Sequence, residues 1–213
     1  MKKSKKYGLK GTIFICMITI LIFCQGKMVK AEDGYGTYGD KIKWHFYQST
    51  GHLEITGSGQ MPEEEAPWHN YQNKIKSVTI GEGITSIFEG SFCEYKNLTK
   101  VTLPSTMKNI GIEAFRKTGI TSVTLPEGLE VIAYQSFESC QSLTAITIPA
   151  SVKRVEACAF MKCSNLSKIT INEGVEELGF QCFQETKIKS IHIPSSIRII
   201  EEKVFSRCEK LTY

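Results

Sequence analysis

Hydrophobic and polar positions along residues 75–213 recur with one rhythm, which the stretch Leu143–Asn165, LTAITIPASVKRVEACAFMKCSN, shows in full. An apolar residue (Leu143) precedes two mostly polar ones and an apolar-x-apolar group (Ile146, Ile148). A second apolar pair three residues apart follows (Val152, Val155), and a phenylalanine (Phe160) closes the unit. Six tandem copies begin at Ile75, Leu98, Ile120, Leu143, Leu166 and Ile188, at spacings of 22 or 23 residues, and a seventh starts at Leu211. A fixed period in this range predicts a solenoid, because one such unit cannot bury its apolar face alone.

Within each copy, alternation and β-branching predict a short strand, ended by Pro104, Pro126, Pro149 and Pro194 in four copies and by Gly81 and Asn172 in the others. The later apolar pair predicts a second extended segment on the opposite side. A phenylalanine occurs in every copy (Phe92, Phe115, Phe137, Phe160, Phe183, Phe205), mostly after a small residue, which predicts a short helical turn packed closely on its neighbour. Stacking turns equivalent positions into ladders. One outward ladder is Thr79, Thr102, Thr124, Thr147, Thr170 and His192, flanked by Lys100 and Lys168. Lys100, Thr102, Thr124, Thr147, Lys168, Thr170 and His192 are therefore the candidate binding face. Threonine rows also stabilise parallel strands by themselves and have a counterpart in ice-binding surfaces. The other ladder, Thr85, Lys108, Glu130, Lys153, Glu176 and Arg198, alternates in sign from Lys108 onward and reads as a register and solubility device.

Residues 32–74 precede the repeats. KIKWHFYQ and HLEITGSG alternate apolar and polar residues around a turn and predict a β-hairpin, with Gly34, Gly36 and Gly39 in a loop before it. A hairpin at the open edge of a solenoid is a cap. Trp68 and Tyr71 are expected to seal that cap onto the core, and Glu63–Glu65 to lie in solvent.

The first 31 residues combine five early lysines, an apolar run from Thr12 to Cys24 and a small residue at Ala31. They predict a signal peptide cut between Ala31 and Glu32, hence a secreted or surface location, and the run is short for a membrane span. Without this segment 19 Lys and Arg face 22 Asp and Glu, a net charge of −3. Neither a nucleic-acid footprint nor a membrane span is expected of the remaining chain.

Its six cysteines are Cys93, Cys140, Cys158, Cys163, Cys182 and Cys208. Cys140, Cys163 and Cys208 share one repeat position, held elsewhere by Tyr95, Thr118 and Thr186, so buried free thiols are expected. A bridge between Cys140 and Cys163 stays open, since adjacent coils bring them close. Aspartate occurs only at Asp33 and Asp40 in this part of the chain, which removes calcium loops, and neither H-E-x-x-H nor C-x-x-C occurs. Neither an enzyme nor a cofactor is expected, although a Cys–His pair meeting only in space stays open. Asn97-Leu98-Thr99 and Asn165-Leu166-Ser167 match the glycosylation sequon at one repeat junction.

The recurring L-x-x-V/I-T-I/L-P, V/I-x-x-I/V and A-F-x-x-C-x-x-L resemble the BspA-like leucine-rich repeat family of bacterial surface proteins, and GDKIKWHFYQSTGHLEITGSGQM with APWHNYQNKIKSV resembles the module that often precedes such repeats, the two together covering essentially all of residues 38–213. The resemblance implies an exported, non-catalytic recognition protein acting in adhesion to host proteins or other cells, with no transferable ligand residues. The chain departs from the family pattern at Phe88, Ala133, Glu156 and Glu201, where glycine usually follows the second segment. The expected fold is thus a β-rich leucine-rich repeat solenoid with an N-terminal hairpin cap, and the expected partner a protein or glycan on host or neighbouring cells. The alternative is a structural spacer or the N-terminal fragment of a longer surface protein, because Leu211-Thr212-Tyr213 begins a new coil. End-to-end self-association through that last coil is a further expectation.

Overall fold

The computed structural model describes residues 32–212; the expected export segment, Ala31 included, and Tyr213 lie outside the described residues. Ahead of the repeats, β1 (Gly34–Tyr38), β2 (Ile42–Tyr47) and β3 (His52–Gly57) form an antiparallel meander. The β2–β3 hairpin is the expected one. The glycine-rich stretch before it, expected as a loop, is instead strand β1. Gly34 and Gly36 lie where a Cβ would come within 2.4 Å of the Tyr71 hydroxyl and 3.0 Å of Trp44 Nε1. Glycine there makes room for the rings, while Tyr35 and Thr37 alternate to the outer face.

A two-residue strand, β4 (Gly59–Gln60), completes the cap strands, and a single 3-10 turn follows at His69–Tyr71. The first coil contributes β5 (Ser77–Ile80) and β6 (Ile84–Ile87), the second β7 (Lys100–Thr102) and β8 (Asn109–Ile110). In the third coil only the second segment is a strand, β9 (Val131–Ile132). The fourth and fifth coils supply β10 (Ala145–Ile148), β11 (Arg154–Val155), β12 (Lys168–Ile171) and β13 (Glu177–Leu178), and the sixth only β14 (Ile199–Ile200).

Second segments stack without a break, from β4 to β14, into one seven-stranded sheet. First segments form two separate sheets, β1-β2-β3-β5-β7 and β10-β12. The cap joins the first of these through a parallel β3–β5 ladder in which Leu53 faces Val78 and Ile55 faces Ile80, so β3 acts as a strand of one further coil.

Inside the stack the phenylalanine rings lie nearly parallel, with successive centroids 5.2 to 6.1 Å apart. Five of them are fully buried and Phe205 is half-buried. The turn carrying each phenylalanine departs from the expected helical form. It contains two residues of positive φ, such as Glu113 (50°) and Lys117 (55°) in the second coil or Cys158 (57°) and Lys162 (59°) in the fourth. Of the twelve such positions in the six coils, only Gly90 is glycine. The conformation turns alternate N–H groups along the stack: Glu113, Phe115 and Lys117 donate to the carbonyls of Tyr134, Ser136 and Glu138 at 3.0, 2.8 and 2.8 Å. Inter-coil hydrogen bonds thus offset the steric cost of left-handed backbone. Phe88, Ala133, Glu156 and Glu201, the departures from the family's glycine, do not have positive φ.

The first coil needs donors for the same carbonyls. Trp68 Nε1 donates to Ser91 O at 3.3 Å and Gln72 Nε2 to Cys93 O at 3.2 Å, and the Trp68 ring stacks on Phe92 with centroids 5.7 Å apart. Trp68 is fully buried and takes the sealing role expected of it, whereas Tyr71 is half-buried against Phe46.

Candidate binding face

The outer face of the five-stranded sheet follows from strand alternation. Trp44, Phe46, Leu53, Ile55, Val78 and Val101 point inward and are buried, leaving His45, Tyr47, His52, Glu54, Ser77, Thr79, Lys100 and Thr102 on the other side. Register aligns these into two cross-strand rows. One runs Tyr35, His45, Glu54, Thr79, Thr102; the other runs Tyr47, His52, Ser77, Lys100.

At the cap end the rows are aromatic. Tyr35 and His45 have centroids 6.1 Å apart, His45 and Tyr47 4.0 Å, and Tyr47 and His52 6.1 Å. Polar groups border the rings. Tyr47 donates its hydroxyl to Glu54 Oε2 at 3.1 Å, which raises the phenol pKa. His52 Nδ1 lies 2.9 Å from Ser77 Oγ, and His45 Nε2 3.6 Å from Asp33 Oδ2. Sequence reasoning missed this cluster because tyrosine and histidine served there as the polar partners of Trp44, Phe46, Leu53 and Ile55. The available signal was that the polar phase of the hairpin is itself ring-rich.

Of the residues proposed from sequence, Lys100 and Thr102 lie exposed on β7, and Thr147 pairs with Thr170 between β10 and β12, with Lys168 at the start of β12. Thr124 and His192 are exposed but belong to no strand. The structure thus corrects the expected unbroken threonine ladder, which is divided after Thr102 and again after Thr170.

Both breaks follow the short repeats. The intervals from Leu98 to Ile120 and from Leu166 to Ile188 are the two of 22 residues, and the coils beginning at Ile120 and Ile188 are the two without a first strand. The missing residue is the one that Asn97 and Asn165 occupy elsewhere, each donating its amide to a carbonyl of the preceding coil (Asn73 O and Gln141 O) at 2.8 Å. That contact gives the two sequons a structural role. Without such a residue Gly119 is drawn against the preceding coil, where a Cβ would stand 2.4 Å from Lys96 O. Pairing then stops at a single bridge between Lys100 and Ser122. An open cavity of about 510 Å³ lies beside the break, lined by Lys100, Thr102, Ser105, Ser122 and Thr124 among others. Another of about 410 Å³ adjoins the junction itself at Lys96, Thr118, Gly119 and Ser142. Ser105 donates its N–H and hydroxyl to Glu82 at 2.9 Å, which lowers the carboxyl pKa and holds it at one wall.

The second ladder brings Lys108 within 3.2 Å of Glu130 and Lys153 within 3.4 Å of Glu176, exposed pairs of small energetic weight. The six cysteines of the described residues are free thiols. Cys140, Cys163 and Cys208 donate to the phenylalanine carbonyls of the preceding coil (Phe115, Phe137 and Phe183) at 3.1, 3.1 and 3.2 Å. Thr118 and Thr186 donate instead to the phenylalanine carbonyls of their own coils, Phe115 O and Phe183 O, so thiol and hydroxyl both find a carbonyl at this position, by different routes. Burial pushes the Cys140 thiol up to about 11 and raises Cys163 and Cys182 well above the usual thiol range.

The profile of the BspA type leucine rich repeat region matches in six copies, over residues 46–144 and 130–213. No curated protein sequence matches the chain. Among solved structures, a leucine rich cell surface protein of Faecalibacterium prausnitzii is similar at 23% identity with a TM-score of 0.63, over 84% of this chain and 53% of its own. The chain therefore spans about half the length of that protein. A leucine-rich repeat protein of Eubacterium ventriosum aligns at 24% identity and a TM-score of 0.45, over 85% of this chain and 71% of its own. The likeness to the Faecalibacterium prausnitzii protein carries the fold, and the repeat profile carries the family: the chain belongs to the BspA-type leucine-rich repeat proteins.

Proposed function

We propose that the protein is a non-catalytic recognition module, exported or displayed at the cell surface, that presents the outer face of its first-segment sheets to a protein or glycan partner in adhesion. The observation that carries this reading is the pair of cross-strand rows running from Tyr35 and Tyr47 to Thr102 and Lys100 on one backbone-bonded sheet. Side chains held by strands on both sides are preorganised, which lowers the ordering cost of binding. The candidate residues Thr147, Lys168 and Thr170 extend the same outward phase to the second sheet, beyond the break at Ser122. Family membership and the likeness to a cell surface protein support the setting. The test is a screen of the purified protein at micromolar concentration against extracellular-matrix proteins, glycans and whole cells. Binding that weakens on Lys100→Glu with Thr102→Arg supports the assignment, and a negative screen across all three classes counts against it.

A further inference from the structure

We propose that the ring row at the cap end of this face, Tyr35, His45, Tyr47 and His52, is a binding site for a neutral glycan. The inference rests on the reading of the first-segment face as the recognition surface and names the ligand class at its aromatic end.

The rings do not serve the fold's interior. The inner side of the same strands is filled by Trp44, Phe46, Leu53 and Ile55, and none of the four outer rings belongs to the buried core. Tyr35 is 78% exposed. On the solvent side of the sheet the rings form a row with neighbouring centroids 4.0 to 6.1 Å apart: His45 and Tyr47 lean against each other at 33° and Tyr35 stands edge-on to His45 at 81°, so the row presents the open ring of Tyr35 at its end instead of a pocket. The C–H side of a pyranose is an apolar, weakly positive surface that matches the negative face of an aromatic ring. Its hydroxyl rim needs hydrogen-bond partners, and the row is bordered by the carboxylates of Asp33 and Glu54 and the hydroxyls of Ser77 and Thr79.

The same chemistry disfavours other occupants. The outward residues of β2 and β3 are Lys43, His45, Tyr47, His52, Glu54 and Thr56, without one aliphatic side chain, whereas the centre of a protein interface is enriched in apolar groups and depleted of charge. Nucleic-acid bases also stack on rings, but their phosphates require clustered cations, and carboxylates border this row. Asp33 and Glu54 likewise oppose uronic or sulfated sugars.

Affinity electrophoresis of the purified protein through gels containing mannan, xylan, galactomannan or mixed-linkage β-glucan, with hyaluronan and heparin as acidic controls, tests the assignment. We expect retardation by at least one neutral polysaccharide. Tyr35→Ala combined with Tyr47→Ala should weaken it about ten-fold or more, while Lys153→Ala on the second-segment side leaves it unchanged. A urea midpoint unchanged by Tyr35→Ala alone checks the fold, and that single variant must itself weaken retardation. Free migration in all four neutral gels, or retardation insensitive to the tyrosine variants, overturns the glycan site. If matrix proteins or cells still bind through Lys100 and Thr102 in that case, the recognition reading stands without it.

Discussion

Trp68 Nε1 stands 3.3 Å from the carbonyl oxygen of Ser91, in the place where the later coils put the main-chain N–H of a phenylalanine from the coil before. Phe92 donates in this way to Ala114 O and Phe115 to Ser136 O. One side chain therefore supplies both the stacked ring and the donor of a coil that precedes the first repeat. Replacing Trp68 by phenylalanine keeps the ring and removes the donor, and should cost about 1 to 3 kcal/mol in a urea melt, the penalty of an unpaired buried carbonyl. Trp68→Ala should cost more, about 3 to 5 kcal/mol.

Phe137 lies between Phe115 and Phe160 at centroid distances of 5.3 and 5.2 Å and is fully buried. Truncation to alanine should destabilise the solenoid by about 3 to 5 kcal/mol, and the same change at the half-buried Phe205 by clearly less. Equal losses at the two positions, or a loss under about 1 kcal/mol at Phe137, would contradict the column.

Lys162 has φ 59° and is exposed, so its side chain bears the left-handed strain without compensation from packing. Lys162→Gly should raise stability by roughly 0.5 to 1 kcal/mol. The control is the neighbouring Met161→Gly, where φ is not positive and glycine should destabilise.

The buried thiols set an alkaline limit. Burial raises the Cys140 pKa to about 11, so the native state keeps a proton that the unfolded state loses from about 9 upward. Stability from this source is complete below about 9 and falls as pH rises towards 11. Cys140→Thr, the residue found at Thr118 and Thr186, should flatten that decline in urea melts across pH. Alkylation mapping by mass spectrometry at neutral pH should label the half-buried Cys93 first among the six, and Cys140, Cys163 and Cys182 only after unfolding.

Adding the absent junction residue should mend the first-segment sheet. With one asparagine inserted between Gly119 and Ile120, the interval from Leu98 becomes that of the full-length coils, and the new amide can donate as Asn97 and Asn165 do. Hydrogen exchange at Val123–Leu125 should slow relative to the parent protein. Exchange as fast as before would show that the break has another origin.

Much of this was legible beforehand, and for identifiable reasons. The copy starts, the inward phenylalanines and the outward threonines follow from periodicity, because each coil buries the same positions. The 22-residue spacings were visible too, but their effect was not, since losing one junction residue shifts a strand without altering its apolar pattern. The left-handed turns were hidden because eleven of the twelve positions carry residues other than the glycine that usually marks such backbone. β1 was hidden for the opposite reason: its glycines signal a loop unless Trp44 and Tyr71 are known to press on them. The ring row was masked because periodicity sorts tyrosine and histidine with polar residues, although their faces are apolar.

Whether the outer face of the first-segment sheets is where partners bind is tested most directly by hydrogen exchange of the protein alone and with the strongest binder from the screen. We expect slowed exchange along the outer rows of the first sheet, at His45–Glu54 and Lys100–Thr102. Protection confined to the left-handed turns at Glu113–Lys117 and their equivalents, with the first sheet unchanged, would contradict it.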